Sequence, residues 1–448
     1  METNNLSSRQ RLMVNHNKEY KRYHISTFFY KTASQIPLNL LQNLISQLQN
    51  KHLLLRSIYT MDGCREIERP AEGWNLINEY DLRKDSAKQK AEKLALIQKP
   101  EIDLSRELPW KIAVIRWNEE ETIIGFTFHH VVFDAYSLTK LLSTIFAILQ
   151  GKYVEILGDD YSIFVDLEKR LCASAEGEKA KIFWGKELEK SRLQITYKDK
   201  YICKRDSHKI LSGNSSEYGK VISQYEDIAS RGHSFAYPIS LSGKIRAFCS
   251  RNQIRRNILL QYIYMMSIAR LNNQKDIVMG NIVTHPRNKK LKNILGPCVN
   301  TIFSRLVIEK NMNRLEHLKE FNHTLIRQLR YYWYPQIKIL EMKREEWNIS
   351  PRNFDIAMPV IFNYIRSKLI AEGDMLNKLS HTVKGGIALT GIAPEKSFVW
   401  SNTDIVLIIV VRDNEIKGNL RIKKRKFKEA FGRELIEEMK KLLREILE

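Results

Sequence analysis

The stretch that most constrains the fold is Phe126–Leu142, which reads FTFHHVVFDAYSLTKLL. Two adjacent histidines, His129 and His130, follow an apolar segment, and Asp134 comes four residues after the second one. Upstream, Thr122–Phe128 is rich in β-branched and aromatic residues, which is typical of a strand. Downstream, apolar residues recur at steps of three and four, which predicts an amphipathic helix. We therefore predict that the motif lies in a loop between a strand and a helix.

Strand geometry separates the two histidines. Successive side chains of a strand point to opposite faces, so His129 and His130 should not converge on one point. A metal ion needs ligands aimed at a common centre, and the pattern therefore argues against a metal site. It favours one histidine facing a cavity and the other held within the fold. The alternative is an ordinary pair of buried, hydrogen-bonded histidines, because a short motif also occurs by chance.

Length and composition predict a large globular protein. The 448 residues are 43% hydrophobic and 28% charged, and the chain is long enough for two domains. The longest apolar runs, such as Ile405–Val411, are strand-sized rather than membrane-spanning. Residues 1–13 lack the apolar core of a secretory signal. The five scattered cysteines form no CxxC pair, so we expect reduced thiols, no zinc site and a cytoplasmic location.

The motif also carries a family resemblance. Residues 129–135, HHVVFDA, resemble the HHxxxDG motif of the condensation domains of nonribosomal peptide synthetases, which belong to the chloramphenicol-acetyltransferase-like superfamily. One position departs from the pattern, because Ala135 stands where the family usually has glycine. Other segments resemble family motifs in family order: Leu6–Met13, Lys51–Tyr59, Ile102–Pro109, Tyr161–Leu167, Ala180–Leu188, Asp276–Arg287, Ile294–Arg305 and Val360–Tyr364. No adenylation or carrier segment follows, so we expect a free-standing condensation enzyme.

The resemblance implies an α/β fold of two acetyltransferase-like lobes that form a V-shaped pseudo-dimer around a tunnel. We expect an N-terminal lobe at residues 1–189, which carries HHxxxD, an inter-lobe crossing at 190–234 and a C-terminal lobe at 235–448. A crossing loop is expected near residues 380–400, where the sequence is rich in glycine. Phosphopantetheine arms of carrier proteins enter such a tunnel from both ends and meet at the motif.

The resemblance also implies roles for individual residues. His130 faces the tunnel and accepts or positions the proton of an attacking amine or hydroxyl while a thioester is cleaved. His129 is structural, and Asp134 pairs with Arg287 to hold the loop. Backbone N–H groups at the helix start are candidate donors to the oxyanion. The residues expected at the oxyanion site or along the tunnel are Ala135, Tyr136 and Asn363, although Asn363 equally fits a satisfied polar group in a strand.

Other residues near the motif fit structural roles better than catalytic ones. Ser137 suits a helix cap more than a nucleophile. Cys298 lies in an apolar segment without a neighbouring base and is expected to pack. His52 and Arg56 are expected to position structure. No Walker loop or GxGxxG motif is found in the sequence, so no bound cofactor is expected, and phosphopantetheine enters only as the substrate's tether.

The net charge of +22 predicts either an acidic partner or a repelling, solvated surface. Nucleic acid is one candidate partner, although the densest basic cluster, Arg421–Lys428, matches no nucleic-acid motif. An acidic carrier protein is the other, and it is the partner that the resemblance implies. The leading hypothesis is amide formation from a carrier-bound thioester and a small-molecule amine, without nucleic acid or membrane. The alternatives are ester formation on an alcohol, a non-catalytic carrier-docking module, and nucleic-acid binding, which charge alone supports.

Overall fold

The computed structural model describes residues 5–33, 35–61, 63–66, 76–152, 160–203, 229–284, 291, 293–309, 313–349, 358–366, 390–392, 403–412 and 415–448. The chain divides into two compact units. The first comprises Met1–Arg170, Pro286–Val299 and Leu369–Phe398, and the second Leu171–His285, Asn300–Lys368 and Val399–Glu448. The predicted lobes are contiguous stretches, whereas each unit also draws on segments distant in sequence.

Helices and strands alternate along the chain, which confirms the predicted α/β class. The strands are β1 Ile25–Thr32, β2 Ser57–Thr60, β3 Gly63–Glu66, β4 Ile77–Asp81, β5 Trp110–Arg116, β6 Thr122–His129, β7 Ser230–Tyr237, β8 Asp276–Thr284, β9 Val299–Val307, β10 Val360–Arg366, β11 Thr390–Ile392, β12 Ile405–Arg412 and β13 Glu415–Lys423. The helices are α1 Ser8–Glu19, α2 Leu38–Lys51, α3 Ala87–Gln98, α4 Ala135–Leu149, α5 Ser162–Ala173, α6 Ala175–Glu187, α7 Ile239–Arg251, α8 Arg256–Asn272, α9 Arg314–Gln328, α10 Gln336–Met342 and α11 Glu429–Leu447. None of these helices combines the length and the apolarity needed to cross a membrane.

The first unit is built on a sheet with the strand order β11-β1-β6-β5-β4. The polar run Asn118–Glu121, between the strand-like segments Lys111–Trp117 and Thr122–Phe128, predicts a hairpin. The structure confirms it, since β5 and β6 pair antiparallel from Trp110↔Phe128 to Arg116↔Thr122. Strand β6 lies at the centre and is buried from Ile123 to its end, because neighbours flank both edges and apolar clusters cover the sheet. The motif histidines therefore stand at the end of the most enclosed strand of this sheet.

Two elements of the first unit differ from the sequence prediction. The sequence predicts a helix that starts at Pro37, whereas α2 begins at Leu38 and Pro37 is its N-cap. Thr390–Ile392 belongs to the segment predicted as a crossing loop, yet it adds an edge strand to β1, with Phe29↔Ile392 in register. A three-residue strand that pairs across more than 300 positions leaves no periodic signal in its own sequence.

The second unit is built on a sheet with the order β7-β13-β12-β10-β8-β9. Strand β10 pairs parallel with both β12 and β8, and helix α8 is buried on nearly all faces, as its uniformly apolar sequence predicts. The sequence of Phe235–Leu241 predicts a strand, but these bounds are wrong. Strand β7 ends at Tyr237, because Pro238 is the N-cap of α7. Ser230–Ser234, predicted within the crossing, is also part of β7. The arrangement of the lobes around a tunnel stays a prediction.

Candidate active site

The two motif histidines belong to different elements at the end of β6. Ile25 on β1 pairs with His129, the last residue of β6. His130 then begins a short 3₁₀ turn that ends at Val132, and α4 follows after Asp134. The strand–loop–helix order predicted from the sequence is therefore confirmed.

His129 is fully buried and is held by its own loop. Its Nδ1 accepts a hydrogen bond from the N–H of Val131 at 3.1 Å, so the ring proton resides on Nε2. Burial is the main cause that lowers the pKa of His129 well below its ordinary value, and His130, His16 and Lys99 add to the effect. A neutral, enclosed imidazole with one nitrogen bound to the backbone serves to shape the loop.

His130 is half-buried, and three contacts fix it. Its backbone N–H donates to the carbonyl oxygen of His24 at 2.8 Å. Its ring lies against the ring of Phe133, with 4.3 Å between centroids and 30° between planes. Its Nε2 lies 3.1 Å from the Oγ of Ser26. The imidazole is therefore presented in a defined orientation.

The surroundings of His130 keep its ring neutral. Burial, followed by the positive charges of Lys99 and Arg9, lowers its pKa to about 3. A neutral imidazole can accept a hydrogen bond from an incoming amine or hydroxyl. Because the protonated ring is disfavoured here, the His130 imidazole can position a proton or transfer it briefly, but it is poorly suited to remaining protonated.

Two further histidines, His16 and His24, adjoin this loop, and sequence reasoning missed them. His16 Nδ1 and His24 Nε2 are 2.7 Å apart, and the rings stack with 4.9 Å between centroids. The ring centroid of His24 lies 6.0 Å from that of His129 and 6.4 Å from that of His130. The described residues hold no group of three or more potential ligands placed to bind a metal ion.

His24 has a left-handed backbone, with φ at 56°. This conformation costs most residues about 1–2 kcal/mol, and histidine tolerates it better than bulkier side chains. It places the carbonyl of His24 on the N–H of His130. The sequence predicts a strand at Tyr23–Tyr30 that includes His24, whereas β1 begins at Ile25, and nothing in the sequence marks the positive φ of His24.

Asp134 holds the loop through hydrogen bonds to Ser137 and Cys298. Its Oδ1 accepts from the N–H and Oγ of Ser137 at 2.9 and 2.8 Å, and its Oδ2 accepts from the N–H of Cys298 at 3.0 Å. Asp134 is thus the N-cap of α4, and Ser137, predicted as the cap, completes the capping box from the third helical position. Arg287, the expected partner of Asp134, lies outside the described residues.

The segment Gly296–Cys298 is fastened to the motif at several points. Ser137 Oγ lies 3.1 Å from the carbonyl of Gly296, and the hydroxyl of Tyr161 donates to the carbonyl of Pro297 at 3.1 Å. Gly296 has φ at 147°, and a Cβ there would lie 2.2 Å from the Tyr161 ring. Cys298 is buried and packs in the core of the first unit. Sequence reasoning named the segment but not its link to Asp134.

Ala135 and Tyr136 open helix α4, where the first N–H groups of a helix lack intrahelical acceptors. Ala135 is exposed and is not among the described residues with positive φ, so alanine in place of the family's glycine causes no backbone strain. Lys140 Nζ lies 4.9 Å from the centroid of the Tyr136 ring. The first turn of α4 therefore forms as in an ordinary helix, and its backbone N–H groups can donate hydrogen bonds to an anion.

The remaining predicted residues lie elsewhere. Asn363 is half-buried on β10 of the second unit, where it pairs with Ile408. His52 is buried, and Arg56 donates to the carbonyls of Gln49 and Asn50 at 2.6 and 3.1 Å, which fits a structural role.

Comparison with known families identifies the protein family that carries this motif. Residues 2–448 match the family model described as Condensation domain. The chain belongs to the condensation domain family. Members of this family are acyltransferases that form amide bonds, and the resemblance seen in HHVVFDA is confirmed.

The relatives of this condensation domain are much larger proteins. It is 26% identical over 289 residues to cyclosporin synthetase simA of Tolypocladium inflatum, covering 60% of this chain and 2% of the relative. It is 20% identical over 415 residues to bacitracin synthase 3 of Bacillus licheniformis, covering 92% of this chain and 6% of the relative. The condensation domain thus spans a small part of each of these proteins.

Solved structures share its fold. The X-domain from teicoplanin biosynthesis superposes with a TM-score of 0.78 at 14% identity, covering 99% of this chain and 95% of that one. The four-domain nonribosomal peptide synthetase AB3403 gives a TM-score of 0.76 at 16% identity, covering 99% and 33%. SgcC5 of Streptomyces globisporus gives 0.71 at 13% identity, covering 98% of both chains.

Proposed function

We propose that this condensation domain transfers an acyl or aminoacyl group from a carrier-bound phosphopantetheine thioester to an amine acceptor and so forms an amide. The product would be a nonribosomal peptide or a hybrid natural product. The observation that carries the proposal is His130: a half-buried neutral imidazole, in an HHxxxD motif, held by three contacts directly after strand β6. Phosphopantetheine acts as the tether of the substrate and not as a resident cofactor.

The reaction needs an amine nitrogen to attack the thioester carbonyl, after which the C–S bond breaks and the thiol leaves. His130 accepts a hydrogen bond from the amine and takes up its proton as the new bond forms. With a pKa lowered to about 3, the imidazole gives that proton up quickly, and the departing thiolate is the natural acceptor. Holding the amine and the thioester in place can lower the activation free energy by up to about 7–11 kcal/mol.

The oxyanion that forms on the carbonyl requires hydrogen-bond donors. The N–H groups of Ala135 and Tyr136 stand at the positive end of the α4 dipole and belong to the first turn of the helix. Asp134 and Ser137 keep that turn in shape, because their mutual hydrogen bonds form the capping box. Asn363 and Arg287 keep their predicted supporting roles in this proposal.

The expected partner is an acidic carrier protein, because this condensation domain has a net charge of +22. Opposite charges accelerate encounter and align the partners, which suits a carrier that must dock, deliver and leave. The acceptor is a small-molecule amine, free or carrier-bound.

The test combines the purified chain, a separately purified acyl-loaded carrier and matched amine and alcohol acceptors, with products identified by mass spectrometry. Amide formation that His130→Ala strongly reduces supports the proposal. Ester as the main product would instead assign the alcohol-acylating variant. Turnover with separate proteins would also support the free-standing arrangement.

A docking module is the second candidate, and Ala135 is the observation that favours it. A methyl group replaces the family's glycine at the start of α4 and faces outward, where a reactant would approach. The X-domain from teicoplanin biosynthesis, whose fold this chain shares, is known in a complex with OxyB. Carrier binding without turnover on any acceptor would favour this function over acyl transfer.

A further inference from the structure

Ser26 is the hydroxyl that contacts the ring of His130, and no motif includes it. It lies on β1 opposite Phe128 in the register with β6. Its Oγ is 3.1 Å from His130 Nε2, and among the described residues it is the hydrogen-bond partner of that imidazole. Since Ser26 is only half-buried, this contact lies near the surface that a substrate can reach.

The hydroxyls of Thr27 and Thr127 lie on the other face of the sheet. Side chains of residues paired across antiparallel strands share a face. Thr27 Oγ1 lies 2.7 Å from Thr127 Oγ1 and 2.6 Å from the carbonyl oxygen of Gln98. Strand alternation therefore places Thr27 on the face opposite to Ser26.

A neutral imidazole carries one ring proton, so the partner of one nitrogen determines the state of the other. If Nε2–H donates to Ser26 Oγ, Nδ1 keeps a lone pair. If the hydroxyl of Ser26 donates to Nε2, the proton resides on Nδ1. A serine hydroxyl can donate or accept, so the acceptor role proposed for His130 decides between the two: Nε2–H donates to Ser26 Oγ, and Nδ1 accepts the hydrogen bond of the amine. Ser26 and Phe133 together limit rotation of the ring.

We propose that Ser26 is a positioning residue that fixes the tautomer and the orientation of His130 for acyl transfer. The proposal rests on the function assigned to His130 above. The carbonyl of His24 fixes the backbone of His130, the face of Phe133 fixes the plane of the ring, and Ser26 fixes which nitrogen bears the proton.

The first experiment measures kcat and KM with a loaded carrier for Ser26→Ala, Ser26→Thr and Thr27→Val. We expect Ser26→Ala to lower kcat about tenfold with KM unchanged, which is the effect of one well-placed hydrogen bond. Ser26→Thr keeps a hydroxyl and should restore most of kcat. Thr27→Val removes a hydroxyl from the other face and should leave kcat unchanged. Equal losses in Ser26→Ala and Ser26→Thr would overturn the proposal.

The second experiment needs no turnover and so separates this proposal from the proposed function. Ring ¹⁵N chemical shifts of His130 report the tautomer in the full chain. The wild type should show one dominant tautomer, and Ser26→Ala should shift the populations while Thr27→Val does not. An unchanged tautomer in Ser26→Ala would overturn the positioning role, and so would an acyl adduct on Ser26, because that would make the serine a nucleophile.

Discussion

At the residue scale, the chemistry of His130 is set by the groups around it. Burial, Lys99 and Arg9 all lower its pKa, and among the residues that the structure describes no carboxylate opposes them. Within the described part of the chain, His130 contacts the hydroxyl of Ser26, the ring of Phe133 and the backbone carbonyl of His24. Such a site favours a neutral imidazole that accepts a hydrogen bond, in contrast to a histidine that a carboxylate partner would make more basic.

The left-handed backbone of His24 gives the first prediction. We expect His24→Ala to lower the free energy of unfolding by about 1 kcal/mol more than His24→Gly, because only glycine adopts this φ without cost. Urea denaturation measures the difference. Asn273, which has φ at 55° at the end of α8, is the matched control, and Asn273→Ala and Asn273→Gly should differ similarly. Equal stability of the two His24 variants would contradict the assigned backbone strain.

At the element scale, the start of helix α4 gives the second prediction. Asp134→Asn should lower the free energy of unfolding by about 1–3 kcal/mol, because the amide NH₂ must face an N–H of either Ser137 or Cys298. Chemical denaturation measures the loss. Ser86→Ala, which removes an exposed capping box from α3, is the control and should cost about 1 kcal/mol. If Asp134→Asn left the free energy of unfolding unchanged, these hydrogen bonds would not be what holds the loop.

Elements with a strong local pattern could be predicted from the sequence, and elements defined by distant partners could not. The β5–β6 hairpin, helix α4 and buried helix α8 each follow from their own periodicity. Strand β11 could not be found, because its strand character comes from pairing with β1.

The site divides in the same way. His130 and Asp134 stand in a motif, so their position was predictable. Ser26 and His24 contribute a hydroxyl and a carbonyl from another strand end, and such contacts depend on the register between β1 and β6. The bonds from Asp134 to Ser137 and Cys298 could likewise not be read from the sequence, and its predicted pairing with Arg287 stays a prediction.

At the scale of the whole molecule, buried histidines predict acid sensitivity. The folded-state pKa values of His24, His52, His129 and His130 all lie below the ordinary value, chiefly through burial. Below about pH 6.5 the unfolded chain binds protons that the folded chain does not, so stability falls as pH falls. Each histidine contributes up to about 1.4 kcal/mol per pH unit.

Urea denaturation between pH 7.5 and 5.0 measures this effect. The free energy of unfolding should be steady above about pH 7 and should decline below about pH 6.5. His52→Asn should reduce the slope, because it removes one of these titrating histidines without touching the motif. A free energy of unfolding that does not fall between pH 6.5 and 5.0 would contradict the assigned pKa directions.

The net charge of +22 gives the remaining whole-molecule prediction. Association with an acidic carrier should weaken as salt rises, because exposed charges are screened within about 8 Å at physiological ionic strength. Titration calorimetry at two salt concentrations measures the change, and duplex DNA at low salt is the comparison. Tight DNA binding with a steep salt slope, and none to the carrier, would favour the nucleic-acid alternative.

The most direct test of the account is the single-turnover rate of His130→Ala with a preloaded carrier and a saturating amine. Rapid quench and mass spectrometry follow the chemical step apart from carrier exchange. His323→Ala, an exposed histidine on α9 in the second unit, is the control. We predict a rate about 10²–10⁴-fold lower for His130→Ala, with carrier affinity and stability retained. A His130→Ala rate equal to those of the wild type and of His323→Ala would contradict the role of His130 in acyl transfer.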